Sequence, residues 1–177
     1  MIRKLRTRLV VVCMLSLLLV IAVILGVVLA TSYQGVVSDA DRVLALLAEN
    51  EGEFPVLKED FDWEALGPRR QSQELGYEIR YFSVLLDETG AVVETDTGQI
   101  AAVDEETAVD YAVQILAQDT QAGFLKDYRY LISQEGTDTR VIFLDCGASM
   151  VAFRSTLFTS LWVAAVGLAA VLFLILL

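Results

Sequence analysis

Apolar residues run almost unbroken at the two ends of the chain, over residues 9–30 and 157–177, and the stretch between them changes to short periods of three, four and two. Each end run is long enough to cross a hydrocarbon core of about 30 Å as a helix, which takes roughly 20 apolar residues. The pattern predicts transmembrane helices over 9–30 and 157–177, with a separate domain over 31–156.

Within the middle segment, Val36, Ala40, Val43, Leu44 and Leu47 recur three and four apart, with Asp39, Asp41, Arg42 and Glu49 off that stripe. This reads as an amphipathic helix over 32–50, ended by Asn50, Glu51 and Gly52. Only Gly35 interrupts its join to the first apolar run, so span and helix are expected to form one rod whose stripe packs on its own domain. The period dissolves over 51–76, which holds Pro55 and Pro68 and reads as a long loop. A hairpin is predicted over 77–96, turning at Asp87, Glu88, Thr89 and Gly90. Asp104 then stands where an N-cap belongs, with Glu105 and Glu106 in the first turn of a helix over 104–118. A second hairpin follows over 124–146, with one strand read from 125 to 134 and another from 140 to 145. Residues 148–156 lead as a helix into the second span. The order of helix, two strands, helix, two or three strands and helix is that of an α+β domain with an antiparallel sheet, and its length suits a single core.

Charge orients this plan. Residues 31–156 hold all 24 acidic and nine of the 13 basic residues, a net charge of −15, which repels nucleic acid and anionic lipid. Arg3, Lys4, Arg6 and Arg8 crowd against the first span, and none follows it before Ser38. The positive-inside bias puts residues 1–8 in the cytoplasm of a plasma-membrane protein and 31–156 outside it. Arg154 is a lone counter-signal. A cleavable signal peptide fits poorly, because the apolar run is far longer than the roughly 7 to 15 residues such a region has. A lipid-anchor signal at Gly147, Ala148 and Ser149 would require that signal peptide too. Leu174, Ile175, Leu176 and Leu177 carry no polar flank to anchor a span, so the chain is expected to be the first part of a longer protein.

Candidate chemistry is sparse. The chain has no His, which excludes His-based acid–base catalysis, His metal ligation and a phosphoacceptor His within these residues. No glycine-rich phosphate loop is present. Cys13 and Cys146 lie in different environments and are not expected to pair. The acidic groups Asp104, Glu105, Glu106 and Asp110, and Glu59, Asp60 and Asp62, lack the spacing of a calcium loop and read as a helix start and a solvated loop. No catalytic, cofactor or metal residue is assigned. Arg80 with Tyr81, and Tyr128, Arg129 and Tyr130, place cations and aromatics on facing hairpins and are the candidates for a small anionic ligand, against a plain reading as cross-strand packing.

The basic start Met1-Ile2-Arg3-Lys4-Leu5-Arg6, Tyr81-Phe82-Ser83-Val84 before the Asp87 turn, Tyr128-Arg129-Tyr130-Leu131 and Val141-Ile142-Phe143-Leu144-Asp145 together resemble the N-terminal sensor portion of bacterial membrane histidine kinases, especially those of Firmicutes. The resemblance covers nearly the whole chain. It implies a PAS-like or Cache-like extracytoplasmic domain between two spans, in a homodimer that answers an unknown signal. It also implies a cytoplasmic kinase region beyond this chain that uses ATP and magnesium and passes phosphate to a response regulator. This chain itself carries no H-box histidine and no ATP-binding motif, so it is expected to have no enzymatic activity alone. The alternatives are a sensor head on a chemotaxis transducer or a cyclic-dinucleotide enzyme, or a complete two-span accessory protein.

Overall fold

The computed structural model describes residues 2–55, 78–118 and 120–176. Most of the predicted loop, residues 56–76, lies outside the described residues, as does residue 77 of the first predicted hairpin. The chain divides into two compact units, one of Met1–Gly35 with Ser149–Leu177 and the other of Val36–Ala148.

In the first unit, α1 (Ile2–Glu49) and the last helix, α3 (Gly147–Leu176), contribute their apolar segments. Both are long and apolar enough to cross a membrane, and the most apolar window of each has none of its residues buried. Val12, Leu15, Leu19, Phe158, Trp162 and Val163 are all more than half exposed. Apolar side chains gain little by facing water, so a hydrocarbon surrounding is the favourable one. The two segments run antiparallel: Tyr33 meets Phe153 at 5.9 Å between ring centroids, and Met14 and Leu18 line a groove with Leu168 and Leu172. The helix predicted over 32–50 continues the first apolar run as one element, the single rod expected from the sequence. Likewise, residues 148–156 and the second apolar run form one helix, whose first turn is capped by the Asp145 carboxylate accepting from the Gly147 N–H at 2.8 Å.

The second unit is built on an antiparallel sheet of five described strands: β1 (Tyr81–Leu86), β2 (Val92–Asp96), β3 (Ala122–Leu125), β4 (Tyr128–Glu135) and β5 (Asp138–Asp145), in the order β2-β1-β5-β4-β3. Tight turns set the register of each hairpin. Asp87 Oδ1 accepts from Thr89 N, Thr89 Oγ1 and Ala91 N, and Gly90 takes the left-handed φ of +81° that closes the first. Gly136, at φ +66°, opens the two-residue turn between β4 and β5. The helix α2 (Glu105–Leu116) connects the two edges of the sheet, and Asp104 caps it by accepting from Thr107 N at 2.9 Å.

One expectation fails here. Residues 125–134 do not form a single strand: Lys126 adopts φ +55°, and Lys126 and Asp127 make a two-residue turn that pairs Leu125 with Tyr128. The region predicted as one hairpin over 124–146 is therefore a three-stranded meander that begins at Ala122. The turn is backed by Asp127 O, which accepts from Cys146 N at 2.9 Å.

Strand alternation divides the core in two. On one face, Phe82, Val84, Leu86, Tyr130, Val141 and Phe143 pack against Ala108, Ala112 and Ile115 of α2. Phe82 and Phe143 are stacked at 4.5 Å, with Tyr128 edge-on to Phe82 at 5.4 Å. The other face carries Tyr81, Ser83, Leu85, Arg140, Ile142 and Leu144. The final turns of α1 cover it: Ala40, Val43, Leu44 and Leu47 are at most 1% exposed, and Asp41 holds Arg129 of β4 by two hydrogen bonds of 2.8 and 3.2 Å. At roughly 1.5–3 kcal/mol per fully buried large side chain, this stripe anchors the end of α1 on the sheet.

Candidate functional site

The end of α1 is closed by a left-handed turn. Leu47 O accepts from Asn50 N at 3.1 Å and from Gly52 N at 2.8 Å, while Glu51 and Gly52 take φ of +57° and +84°. Gly52 lies so close to the sheet that a Cβ there would stand 3.1 Å from Arg140 Cδ, Arg140 Nη1 and Ser83 Oγ. This turn, β1, β2 and β5 enclose a polar cavity of about 260 Å³, lined by Glu51, Gly52, Glu53, Ser83, Glu94, Thr95, Asp96 and Arg140.

Two inward-facing polar residues stand at its base. Arg140, 7% exposed, donates from Nε to Glu135 at 2.6 Å and lies 3.6 Å through Nη2 from Glu94. Burial pulls its pKa down, but the hydrogen bond and charge of Glu135, with Glu94, outweigh this and hold the guanidinium charged above its ordinary value. Ser83 is 1% exposed, and its hydroxyl lies against the Gly52 backbone, 3.1 Å from where a Cβ there would stand. Behind Ser83, the buried Tyr81 hydroxyl accepts from Phe54 N at 3.2 Å. Burial raises its pKa; the Phe54 hydrogen bond opposes the rise, and the charges of Asp96 and Glu53 reinforce it.

The five residues expected to hold an anionic ligand fall in different surroundings. Tyr128 and Tyr130 belong to the core beside α2, where the Tyr130 hydroxyl is 2.8 Å from Thr120 Oγ1. Burial, then the nearby Asp145 charge, raises the Tyr128 pKa. Arg129 points to the opposite face, paired with Asp41 and lying over the Phe124 ring at 4.8 Å. Arg80 is exposed, and its carbonyl accepts from Asp145 N. None of the five lines the cavity; Tyr81 stands two residues from Ser83 on the same face of β1. The acidic group at Asp104 is a capped helix start, and residues 59–62 lie outside the described residues.

The cavity residues come from four separated places in the chain, which is why no local motif announces them. The one readable signal is alternation in β5: it places the Arg140 charge on the same face as Ile142 and Leu144. Chemically, the cavity offers a hydroxyl, a guanidinium and a rim of carboxylates. Compared with models of known protein families and with curated proteins, the chain matches none.

Proposed function

We propose that this chain is the sensing and transmembrane-signalling module of a two-component sensor histidine kinase, working as a homodimer in the plasma membrane. Its domain is PAS-like or Cache-like and faces outward, and its basic N-terminus lies in the cytoplasm. One observation carries the reading: each apolar helix is continuous with the domain. The stripe that α1 buries on the sheet belongs to the same helix as the first apolar run, and α3 starts two residues after β5 ends. A change in the seat of α1 on the sheet thus has a direct path along the helix. Such a path signals only if a stimulus binds one seat better than the other, because differential affinity alone shifts the equilibrium. The small antiparallel sheet with helices on both faces and the basic residues before the first span support the same reading.

The coding sequence after residue 177 and the size of the native product test it together. A linker followed by an H-box histidine and an ATP-binding domain, in a product well above the 19.5 kDa of this chain, is expected. A long coiled coil or a cyclase domain would move the same head to another output. A native product of 19.5 kDa would make the chain an accessory protein.

A further inference from the structure

The turn between β3 and β4 stands in a conformation that its own residues disfavour. Lys126 takes φ +55°, in the left-handed region where a side chain crowds the following carbonyl; among the described residues other than glycine, Glu51 alone shares that region. The cost is offset by a contact with Tyr111 of α2: Lys126 Nζ donates to the Tyr111 hydroxyl at 2.8 Å and lies over its ring, 4.5 Å from the centroid. Tyr111 is itself held among Phe82, Tyr128 and Phe143, with ring centroids 6.4, 5.9 and 6.4 Å away. Lys126 is exposed, and an exposed cation–aromatic contact with one hydrogen bond is of the same order as the left-handed cost. The turn is therefore closely balanced, and loss of the contact leaves the strain unopposed.

The other side of the turn carries the start of α3. Cys146 is the single residue between β5 and α3, it is buried, and its N–H is the one that donates to Asp127 O. At the same junction Asp145 N bonds to Arg80 O and Gly147 N to Asp145 Oδ1, so the Cys146 bond is what joins the junction to the turn. A Cβ at Gly147 would stand 3.7 Å from Asp127 Cβ, so the turn also packs against the first residue of α3. We propose that the Lys126–Asp127 turn is a latch: Tyr111 holds Lys126, the held turn keeps Asp127 O on Cys146 N, and that bond fixes where α3 leaves the sheet. By this path α2 reaches the second apolar helix without using α1. The latch stands on the domain geometry; only its use in signalling rests on the functional reading above. In that use, a stimulus that favours the state with Lys126 released loosens the start of α3.

The test uses the full chain in nanodiscs of zwitterionic phosphatidylcholine, with hydrogen–deuterium exchange at the Cys146 amide resolved by fragmentation mass spectrometry. Lys126→Met removes the ammonium and leaves a side chain that disfavours the left-handed φ; it should speed this exchange about fivefold, the size of an exposed cation–aromatic contact. Lys126→Arg keeps a cation and should stay within about twofold of the wild-type chain. Lys126→Gly loses the same contact but takes the left-handed φ freely, so it too should stay within about twofold. Tyr111→Phe keeps the ring and drops the hydroxyl; it should speed exchange in the wild-type chain and have no effect beside Lys126→Gly. In Lys126→Met the rise should extend to residues 151–154, in the first internally bonded turn of α3, and leave residues 36–49 of α1 unchanged. Circular dichroism and the melting temperature establish that each variant is folded. Unchanged exchange in Lys126→Met, exchange as fast in Lys126→Gly, or a Tyr111→Phe effect undiminished by the glycine would each overturn the latch. An equal rise over residues 36–49 would overturn it as well, being a general loosening of the domain, and a rise that stops short of residue 151 would overturn its reach into α3. None of these measurements needs a kinase: a native product without one removes the signalling role and leaves the latch, whereas a failed latch leaves the functional reading standing.

Discussion

The Asp41–Arg129 pair joins the long helix to the sheet across 88 residues of sequence, and its worth can be reckoned from its geometry. The contact is two-pronged, at 2.8 and 3.2 Å, and Arg129 is only 15% exposed, held over the Phe124 ring. Asp41 is 45% exposed, so water screens it and can replace the arginine when that is removed. Exposed pairs contribute about 0.2–1 kcal/mol, and a bidentate pair with one partner fixed belongs at the top of that range. A coupling of about 1 kcal/mol corresponds to roughly a fivefold change in an opening equilibrium. The perturbation is a double-mutant cycle of Asp41→Asn and Arg129→Gln in the full chain. The assay is hydrogen–deuterium exchange over residues 36–49, whose protection reports how often α1 leaves the sheet. Each single variant should raise exchange there, and the double variant should fall short of the product of the two by about fivefold. Strict multiplication of the two effects would refute the view that this pair pins α1.

Gly123→Ala should lower the melting temperature by several degrees, because a Cβ there would stand 2.6 Å from the Tyr130 hydroxyl and displace a ring bonded to Thr120, at about 1–3 kcal/mol of overpacking; an unchanged midpoint would contradict the packing. Phe143→Ala, at a fully buried position, should cost about 3–5 kcal/mol in denaturant unfolding, whereas Val113→Ser, more than half exposed on α2, should stay within about 0.5 kcal/mol. The folded-state pKa of Tyr81 is raised, so its contribution is complete below the ordinary tyrosine value near 10.0 and is lost as pH rises through the higher folded value. Tyr81→Phe should therefore flatten the alkaline limb of a stability–pH curve, and an identical limb would exclude Tyr81 as its source. Asp104 has the opposite sign: hydrogen bonding to Thr107 lowers its pKa, so its support of α2 is present above the ordinary value of 3.8 and fades as pH falls through the lower folded value. In Asp104→Asn, which keeps a capping oxygen, thermal melts should lose part of this acid dependence.

Much of the fold was legible where one physical signal ruled. The end runs, the α1 stripe at Ala40, Val43, Leu44 and Leu47, and the Asp104 cap each follow from hydrophobic period or from unpaired backbone donors. The Lys126–Asp127 turn was hidden, because neither glycine nor asparagine marks it and lysine rarely takes a left-handed φ without tertiary support. The Tyr128-Arg129-Tyr130 run held a readable warning. In a strand, neighbours point to opposite faces, so Arg129 cannot act beside the two tyrosines that flank it. The cavity itself was illegible: residues 51–53, 83, 94–96 and 140 meet only because β1 lies between β2 and β5 with the α1 turn folded over them.

The central claim of the proposal is that the domain senses on one side of the membrane for a kinase that phosphorylates itself on the other. Its most direct test is to capture the native protein from membranes with an antibody to residues 36–148, incubate it with magnesium and labelled ATP, and measure acid-labile, alkali-stable phosphate. The account predicts incorporation of such phosphate, characteristic of phosphohistidine, into the polypeptide that carries this domain. A captured polypeptide that binds the antibody and takes up no phosphate under saturating ATP would contradict it.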